Sequence, residues 1–345
     1  MEFNMRVQGL SRFRRAVVIG AAAALAVGVA GCSNSEEASS SESSTTAASS
    51  QTRVFEAQNG SIEIPSDPQR IVACGYAVLP LIQAGANLAA VCEWTRELGN
   101  MDDKTKAAYE ALPKVAPDGN VSQLNYEGIV AAEPDLIIMG VPARVESQLD
   151  MAQLEAAAPV VFLGPTVPAD WRVLGEQFAD AANVSDTYGE FKDDYDAKTA
   201  ELAAKYKDKL GSLTFGGVCN VCKPEAGTFS REYASSYTTN LFDGLGLQFP
   251  GTPADPADIH VEQVSIEKIG ENLGNVDVIV YGLNADGSMS PQLQELVNSE
   301  LWKELPAVKA GNVVQVQHSL AATYQTALLT LDSIDEGLSK LPANQ

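Results

Sequence analysis

Histidine, tryptophan and positive charge are scarce in this chain of 345 residues. It has two histidines, three tryptophans, and 23 lysines and arginines against 45 aspartates and glutamates. His260 and His318 lie far apart in sequence. A directly bound zinc or manganese ion wants several imidazoles and carboxylates together, so no directly held metal is expected. A net charge of −22 argues against nucleic-acid binding, which needs basic patches. The enzyme signatures G-x-S-x-G, H-E-x-x-H, G-x-x-x-x-G-K-[ST] and a helix-opening G-x-G-x-x-G are also missing. Gly244-Leu245-Gly246 follows a helical pattern and fails the dinucleotide context. No catalytic residues are expected.

The start of the chain reads as an address. Arg6, Arg12, Arg14 and Arg15 precede the apolar run Ala16–Ala30, which ends at Gly31-Cys32. This is the layout of a secretory signal, and its fifteen apolar residues are too few for a comfortable membrane span. Val29-Ala30-Gly31-Cys32 resembles the bacterial lipobox, with valine where leucine is usual. Cys32 is therefore expected to be lipidated and to become the first residue of an exported, membrane-anchored chain. Removing residues 1–31 takes away four arginines and one glutamate and moves the net charge from −22 to −25. Half of Ser33–Ser50 is serine and none of it is large and apolar, so residues 32–52 read as a solvated tether.

Four cysteines remain: Cys74, Cys92, Cys219 and Cys222. An even number in an oxidising compartment favours disulfides. Free thiols, or a metal or redox role for the C-x-x-C at Cys219 and Cys222, stay open as alternatives. A thioredoxin-type motif would open a helix, whereas Cys222-Lys223-Pro224 leads into a loop.

Short apolar runs bounded by turn residues read as buried parallel strands at Ile71–Cys74, Leu88–Cys92, Leu136–Met139 and Val160–Leu163, then at Leu213–Cys219, Val276–Tyr281 and Val313–Val316. Helical patterns separate them, including Val78–Gly85, Ser147–Ala157 and a last helix from about Ala321 to Leu338. Between the two sets lies Asp186–Leu210, where Tyr188, Phe191, Tyr195, Thr199, Leu202, Tyr206 and Leu210 form one stripe at helical spacing. A single long helix is expected there, closed by Gly211 as its C′ residue. The fold class is α/β: two Rossmann-like lobes with mostly parallel sheets, joined by one long helix. The expected division is 53–185 for the first lobe, 186–211 for the bridging helix and 212–345 for the second lobe. The halves also echo each other: Asn125–Gly140 and Ser265–Gly282 both run E-x-I, then Asp, then an apolar strand, then Gly.

With these features in place, the chain resembles the substrate-binding lipoproteins of ABC importers for ferric siderophores, haem and cobalamin. The resemblance is carried by Ile62-Glu-Ile-Pro65, Pro68-Gln-Arg-Ile71, the segments Asn125–Ile138 and Ser265–Val280, and Ala307–Val313. It implies a ligand cleft between the lobes and a stiff helix that limits their movement. It implies docking on a membrane permease, served by an ATPase, through one glutamate on each lobe, and these positions are held here by Glu127 and Glu267. Carboxylate–guanidinium pairing with permease arginines suits that task because it is bidentate and steers encounter. A monomer, lipid-anchored to the outer face of the cytoplasmic membrane, is expected.

Residues just past strand ends are the candidates for the cleft: Tyr76, Trp94, Arg96 and Arg144 from the first lobe. Phe229, Arg231 and Tyr233 in an opening loop join them, with Tyr281, Asn284, His318 and Tyr324 after the last strands. Aromatics offer apolar area to the organic shell of a chelate, and arginines bond its oxygens. The arginines are scattered, which favours a weakly charged ferric hydroxamate over a strongly anionic catecholate. No cofactor beyond such an Fe(III) chelate is expected. Haem or cobalamin is the alternative ligand, with His318 or a loop tyrosine as the axial group for haem. An alternative of another class is a lipoprotein thiol-disulfide oxidoreductase using Cys219 and Cys222. Trp171, near the expected N-cap Asp170, and Trp302, on a short amphipathic helix, are expected to pack, and His260 carries no special context. Cys74 and Cys92 would end neighbouring parallel strands, at a spacing compatible with a disulfide, which leaves Cys219 and Cys222 as a local pair that stiffens the second-lobe loop.

Overall fold

The computed structural model describes residues 51–117, 120–255 and 259–342. The expected signal peptide, Cys32 and the tether up to residue 50 lie outside the described residues. Among the described residues no helix is long and apolar enough to cross a membrane.

The first lobe is built on a parallel sheet of β3 (Ile71–Gly75), β4 (Leu88–Val91), β5 (Leu136–Gly140) and β6 (Val160–Phe162), in the order β4-β3-β5-β6. Helices cover both faces of such a sheet, so its strands are apolar throughout, and every residue of β5 is buried. Ahead of it, β1 (Thr52–Ala57) and β2 (Gly60–Pro65) form an antiparallel hairpin that the apolar pattern did not announce. The hairpin turn caps the free edge of β6: Gln58 N–H donates to the Phe162 carbonyl at 3.0 Å, and Asn59 bonds Val160 and Phe162 through its side chain.

The second lobe is a mixed sheet of β7 (Phe215–Val218), β8 (Thr228–Glu232), β9 (Val261–Ser265), β10 (Val278–Gly282) and β11 (Val313–Val316), in the order β11-β10-β7-β8-β9. β8 runs antiparallel to both neighbours. Here the structure corrects the sequence reading, which took this segment for an opening loop.

Between the lobes runs the helix Ser185–Leu210, one residue longer at its start than the spacing indicates. Its buried residues are Tyr188, Tyr195, Thr199, Leu202, Tyr206 and Leu210, with Phe191 partly buried against the same core. Gly211 caps it with a right-handed φ of −63° and not with a left-handed C′ turn. The last helix, Tyr324–Ser339, packs along it, with the Tyr206 hydroxyl and Lys205 both on the Asp335 carboxylate at 2.6 Å.

The internal echo is structural. Asp135 accepts from the backbone N–H groups of Gln69 and Arg70 at 2.6 and 2.9 Å, just before β3. Asp277 accepts from Thr214 N–H and Oγ1, both at 2.8 Å, just before β7. Each aspartate precedes one central strand and fastens the entrance of the next.

Gly75 ends β3 at φ +65°, where a Cβ would run into the Gly140 carbonyl. A non-glycine left-handed residue costs about 1–2 kcal/mol before any clash is counted. Gly75→Ala is therefore expected to lower the melting temperature by several degrees. An unchanged thermal midpoint would refute this account of the turn.

Candidate functional site

The ends of the first-lobe strands open into a cavity of about 410 Å³, within the range of small-molecule sites. Tyr76 enters it after β3, Trp94 and Arg96 after β4, Arg144 after β5, and Thr166 after β6. Tyr237 and His260 close it from the second lobe. Arg144, Thr166 and His260 also line an adjoining hollow with Cys222, Ser230, Val261 and Gln263, so the two form one cleft between the lobes.

Arg96 is the centre of an aromatic box. Its guanidinium carbon lies 5.1 Å from the Tyr76 ring centroid, 5.2 Å from Trp94 and 5.8 Å from Tyr237. Its Nη1 donates to the Tyr76 hydroxyl at 2.7 Å, while its buried Nε makes no hydrogen bond. Burial works against the charge, but Tyr76 and the neighbouring Glu97 carboxylate outweigh it and hold the Arg96 pKa above its ordinary value. The box presents a permanently charged guanidinium framed by three rings on the cavity wall.

Behind the box stands Glu97, wholly inaccessible to solvent. It accepts from Trp94 Nε1 at 3.1 Å, from the Ala322 N–H at 2.9 Å and from Thr326 Oγ1 at 3.0 Å. The last two belong to the start of the helix Tyr324–Ser339, so one carboxylate ties a cavity side chain to the second lobe. Burial pushes its pKa up, against the opposing pull of Arg96 and these donors.

Four expected cleft residues, Tyr76, Trp94, Arg96 and Arg144, line the cavity together. The other seven do not line either hollow of the cleft. Because β8 is a strand, successive side chains alternate: Ser230 faces the cleft, while Phe229 is buried in the second-lobe core. Arg231 reaches Asn272 at 3.3 Å and the Pro250 carbonyl at 3.2 Å, stacked on Tyr233, whose hydroxyl donates to Glu262. Tyr281 packs against Trp302 in the core, with its hydroxyl accepting from Gln315 at 2.6 Å. Asn284 is held by Asn220 and Ser288. His318 sits at φ +62° with its Nδ1 2.7 Å from Asn100 Oδ1. Tyr324 is buried among Trp171, Tyr188 and Tyr195 and donates to Glu176 at 2.7 Å. Trp171 and Trp302 are core residues.

Tyr237 and His260 were not singled out from the sequence. Tyr237 lies in a serine- and threonine-rich turn after β8, and His260 immediately precedes β9, so unread antiparallel strands concealed both. The expected sulfur pairs are at bonding distance, Cys74 with Cys92 and Cys219 with Cys222. Among the described residues, Cys219, Cys222 and Glu232 are the group whose donor atoms cluster in the manner of a metal site, but the two sulfurs are bonded to each other. Glu127 and Glu267 are exposed, each in the first turn of a short helical segment, and no ion pair to either is found among the described residues.

The fold and this cleft define a two-lobed α/β binding protein. The periplasmic binding protein family matches residues 71–320, and the chain belongs to it. Among its relatives, "Probable siderophore-binding lipoprotein YfiY" of Bacillus subtilis (strain 168) is 29% identical, covering 83% of this chain and 88% of that protein. The Iron(3+)-hydroxamate-binding protein YxeB of the same organism is 25% identical, covering 76% and 77%. The siderophore periplasmic binding protein from the fuscachelin gene cluster of Thermobifida fusca superposes with a TM-score of 0.66 at 26% identity, covering 80% of this chain and 98% of that one.

Replacing Glu97 by alanine would leave the buried Trp94 indole N–H without its acceptor, at about 1–3 kcal/mol, and the Ala322 N–H with only its longer 3.3 Å bond to Thr326 Oγ1. Glu97→Ala is expected to lower unfolding free energy by at least about 1 kcal/mol in a denaturant titration. Full retention of stability would show that the carboxylate is not the tie between cavity and second lobe.

Proposed function

We propose that this protein is an exported, lipid-anchored binding protein that captures a ferric siderophore, of hydroxamate type, in the cleft and delivers it to an ABC permease with its ATPase. The observation that carries the reading is the Arg96 box of Tyr76, Trp94 and Tyr237 within one inter-lobe cavity. Its rings offer apolar area to the ligand's organic shell, and the guanidinium bonds a ligand oxygen. Arg144 adds a second cation, and Glu93 also lines the cavity. Two guanidiniums with a carboxylate nearby suit a chelate of low charge better than a highly anionic one. The names of the Bacillus subtilis relatives support the same ligand class. In this reading iron is cargo held by the chelate, and the protein contributes no metal ligand. Export and lipidation at Cys32 rest on the lipobox and on the relative named as a lipoprotein. Glu127 and Glu267 are the docking carboxylates, supported by their exposure and equivalent places in the repeat.

The test is tryptophan-fluorescence titration of the processed chain with a ferric trihydroxamate, with haem and cobalamin in parallel. Saturable quenching at sub-micromolar chelate is expected, and Trp94→Phe should remove most of it because Trp171 and Trp302 are core residues. Arg96→Ala should weaken binding at least about tenfold, the loss of one charge-assisted contact. No saturable response to the hydroxamate would overturn the ligand assignment. For docking, Glu127→Ala combined with Glu267→Ala should leave chelate affinity unchanged and lower uptake by cells. Unaltered uptake would remove the docking role.

A further inference from the structure

The wall of the cleft carries a feature that ligand capture does not use. Cys219 and Cys222 are joined just past the end of β7, and the Glu232 carboxyl on the neighbouring strand β8 lies beside them, with one donor atom of each residue within 4.8 Å of the others. The two sulfurs differ in access. Cys219 is buried at 4% exposure, while Cys222 is half-buried and lines the open hollow of the cleft. Lys223, directly after Cys222, is held at φ +47°, a left-handed conformation that a non-glycine residue adopts only under constraint.

Glu232 is an unusual neighbour for a purely structural bridge. It is buried at 2% exposure and no cation pairs with it among the described residues. Thr238 donates to it through its backbone N–H at 3.2 Å and through its hydroxyl at 3.4 Å. Burial pushes its pKa up to about 7 against these donors, so near neutral pH the group both holds and releases a proton. An accessible sulfur, a buried partner sulfur and a proton-holding acid beside them are the parts that thiol–disulfide exchange requires.

We propose that Cys219, Cys222 and Glu232 form a thiol–disulfide exchange centre on the cleft wall, with an external dithiol as its reductant. A thiolate of the dithiol attacks Cys222 Sγ, forming a mixed disulfide. The Cys219–Cys222 bond breaks, and Cys219 Sγ leaves with the electron pair and takes the Glu232 proton, so that no thiolate is stranded in a buried site. The second thiolate of the dithiol then attacks its own mixed-disulfide sulfur and releases Cys222, which takes a proton from water. The external dithiol is oxidised to a disulfide and the protein's disulfide is reduced to two thiols. Water restores the proton on Glu232. The reverse sequence reoxidises the pair. This activity goes beyond ligand capture and does not depend on the identity of the chelate.

The experiment is timed reduction of the native processed chain by dithiothreitol at neutral pH, with alkylation and mass mapping of the freed thiols. Cys219 and Cys222 are expected to open while Cys74–Cys92, whose two residues are both buried, stays closed. Glu232→Gln should slow the opening at least about tenfold, the lower part of the range for general acid catalysis being larger still. A second measurement is independent of that variant's folding. With oxidised glutathione, Cys219→Ser should form a mixed disulfide at Cys222 readily, and Cys222→Ser should leave Cys219 largely unreacted. Opening of the pair only on unfolding, equal reactivity of the two single cysteines, or a folded Glu232→Gln protein with an unchanged rate would each overturn the proposal.

Discussion

Burial of one face of the helix Ser185–Leu210 is the constraint on which the other arrangements depend. A helix of 26 residues is about 39 Å long, enough to pass from one sheet to the other. Its average hydropathy is low, so it is held by its stripe of tyrosines, leucines and Thr199 more than by intrinsic preference. That stripe enters a core cluster that includes Ile71 and Leu136 of the first sheet and Phe215, Val280 and Val314 of the second. The lobes therefore share packed apolar matter as well as a linker. Around Tyr324 the rings of Trp171, Tyr188 and Tyr195 meet at centroid separations of 5.1 to 5.4 Å, edge-on or tilted, which fixes their mutual orientation as well as burying area.

Polar ties then set what the shared core leaves free. Asn240, 2% exposed, accepts from Trp171 Nε1 at 3.0 Å, and its carbonyl accepts from Arg172 at 2.9 Å. Ala169 N–H reaches the Ser235 carbonyl at 3.2 Å. Glu97 is the tie nearest the cavity, and a carboxyl so wholly buried is tolerated only with hydrogen-bond partners on several sides. Its partners are the Trp94 indole and the start of the helix Tyr324–Ser339, so any shift of that helix is felt by the wall of the Arg96 box. Orientation of the box and the relative placement of the lobes are thus coupled through the Glu97 carboxyl as well as through Tyr237. Low local dielectric makes that coupling stiff.

What the sequence disclosed and what it hid follow from one physical distinction. Fully buried parallel strands such as Leu136–Gly140 stand out as apolar runs, and the tyrosine stripe announces its helix by spacing alone. Residues that follow those strands, Tyr76, Trp94, Arg96 and Arg144, lie together on the cavity wall. The antiparallel pair β8–β9 has one face on the core and one on the cleft, so Thr228–Glu232 and Val261–Ser265 mix apolar, polar and charged residues and read as loop. The pleat turns Phe229 away from the cleft and Ser230 toward it, which a loop reading does not foresee. His318 and Tyr324 lie outside both hollows for a different reason. Their side chains are spent on the tie to Asn100 and on the aromatic cluster, contacts between segments more than a hundred residues apart that no local pattern records.

The two walls of the cleft are consequently unlike in kind. The first lobe supplies side chains on loops after parallel strands, where length and composition can change without disturbing the sheet. The second supplies the face of an antiparallel pair, whose ladder fixes Ser230 opposite Gln263, with Tyr237 and His260 at its border. The cleft is thus bounded on one side by loop side chains and on the other by a laddered strand face, and both lobes share one core. Recognition under those conditions rests on preorganisation, since little ordering of backbone is left to oppose binding. The joined sulfurs of Cys219 and Cys222 act on the rigid side, at the loop between β7 and β8, and the Cys74–Cys92 bridge joins the ends of β3 and β4 beneath Tyr76 and Trp94. Each covalent link thus reaches the cleft wall itself, with Cys92 lining the cavity and Cys222 the adjoining hollow.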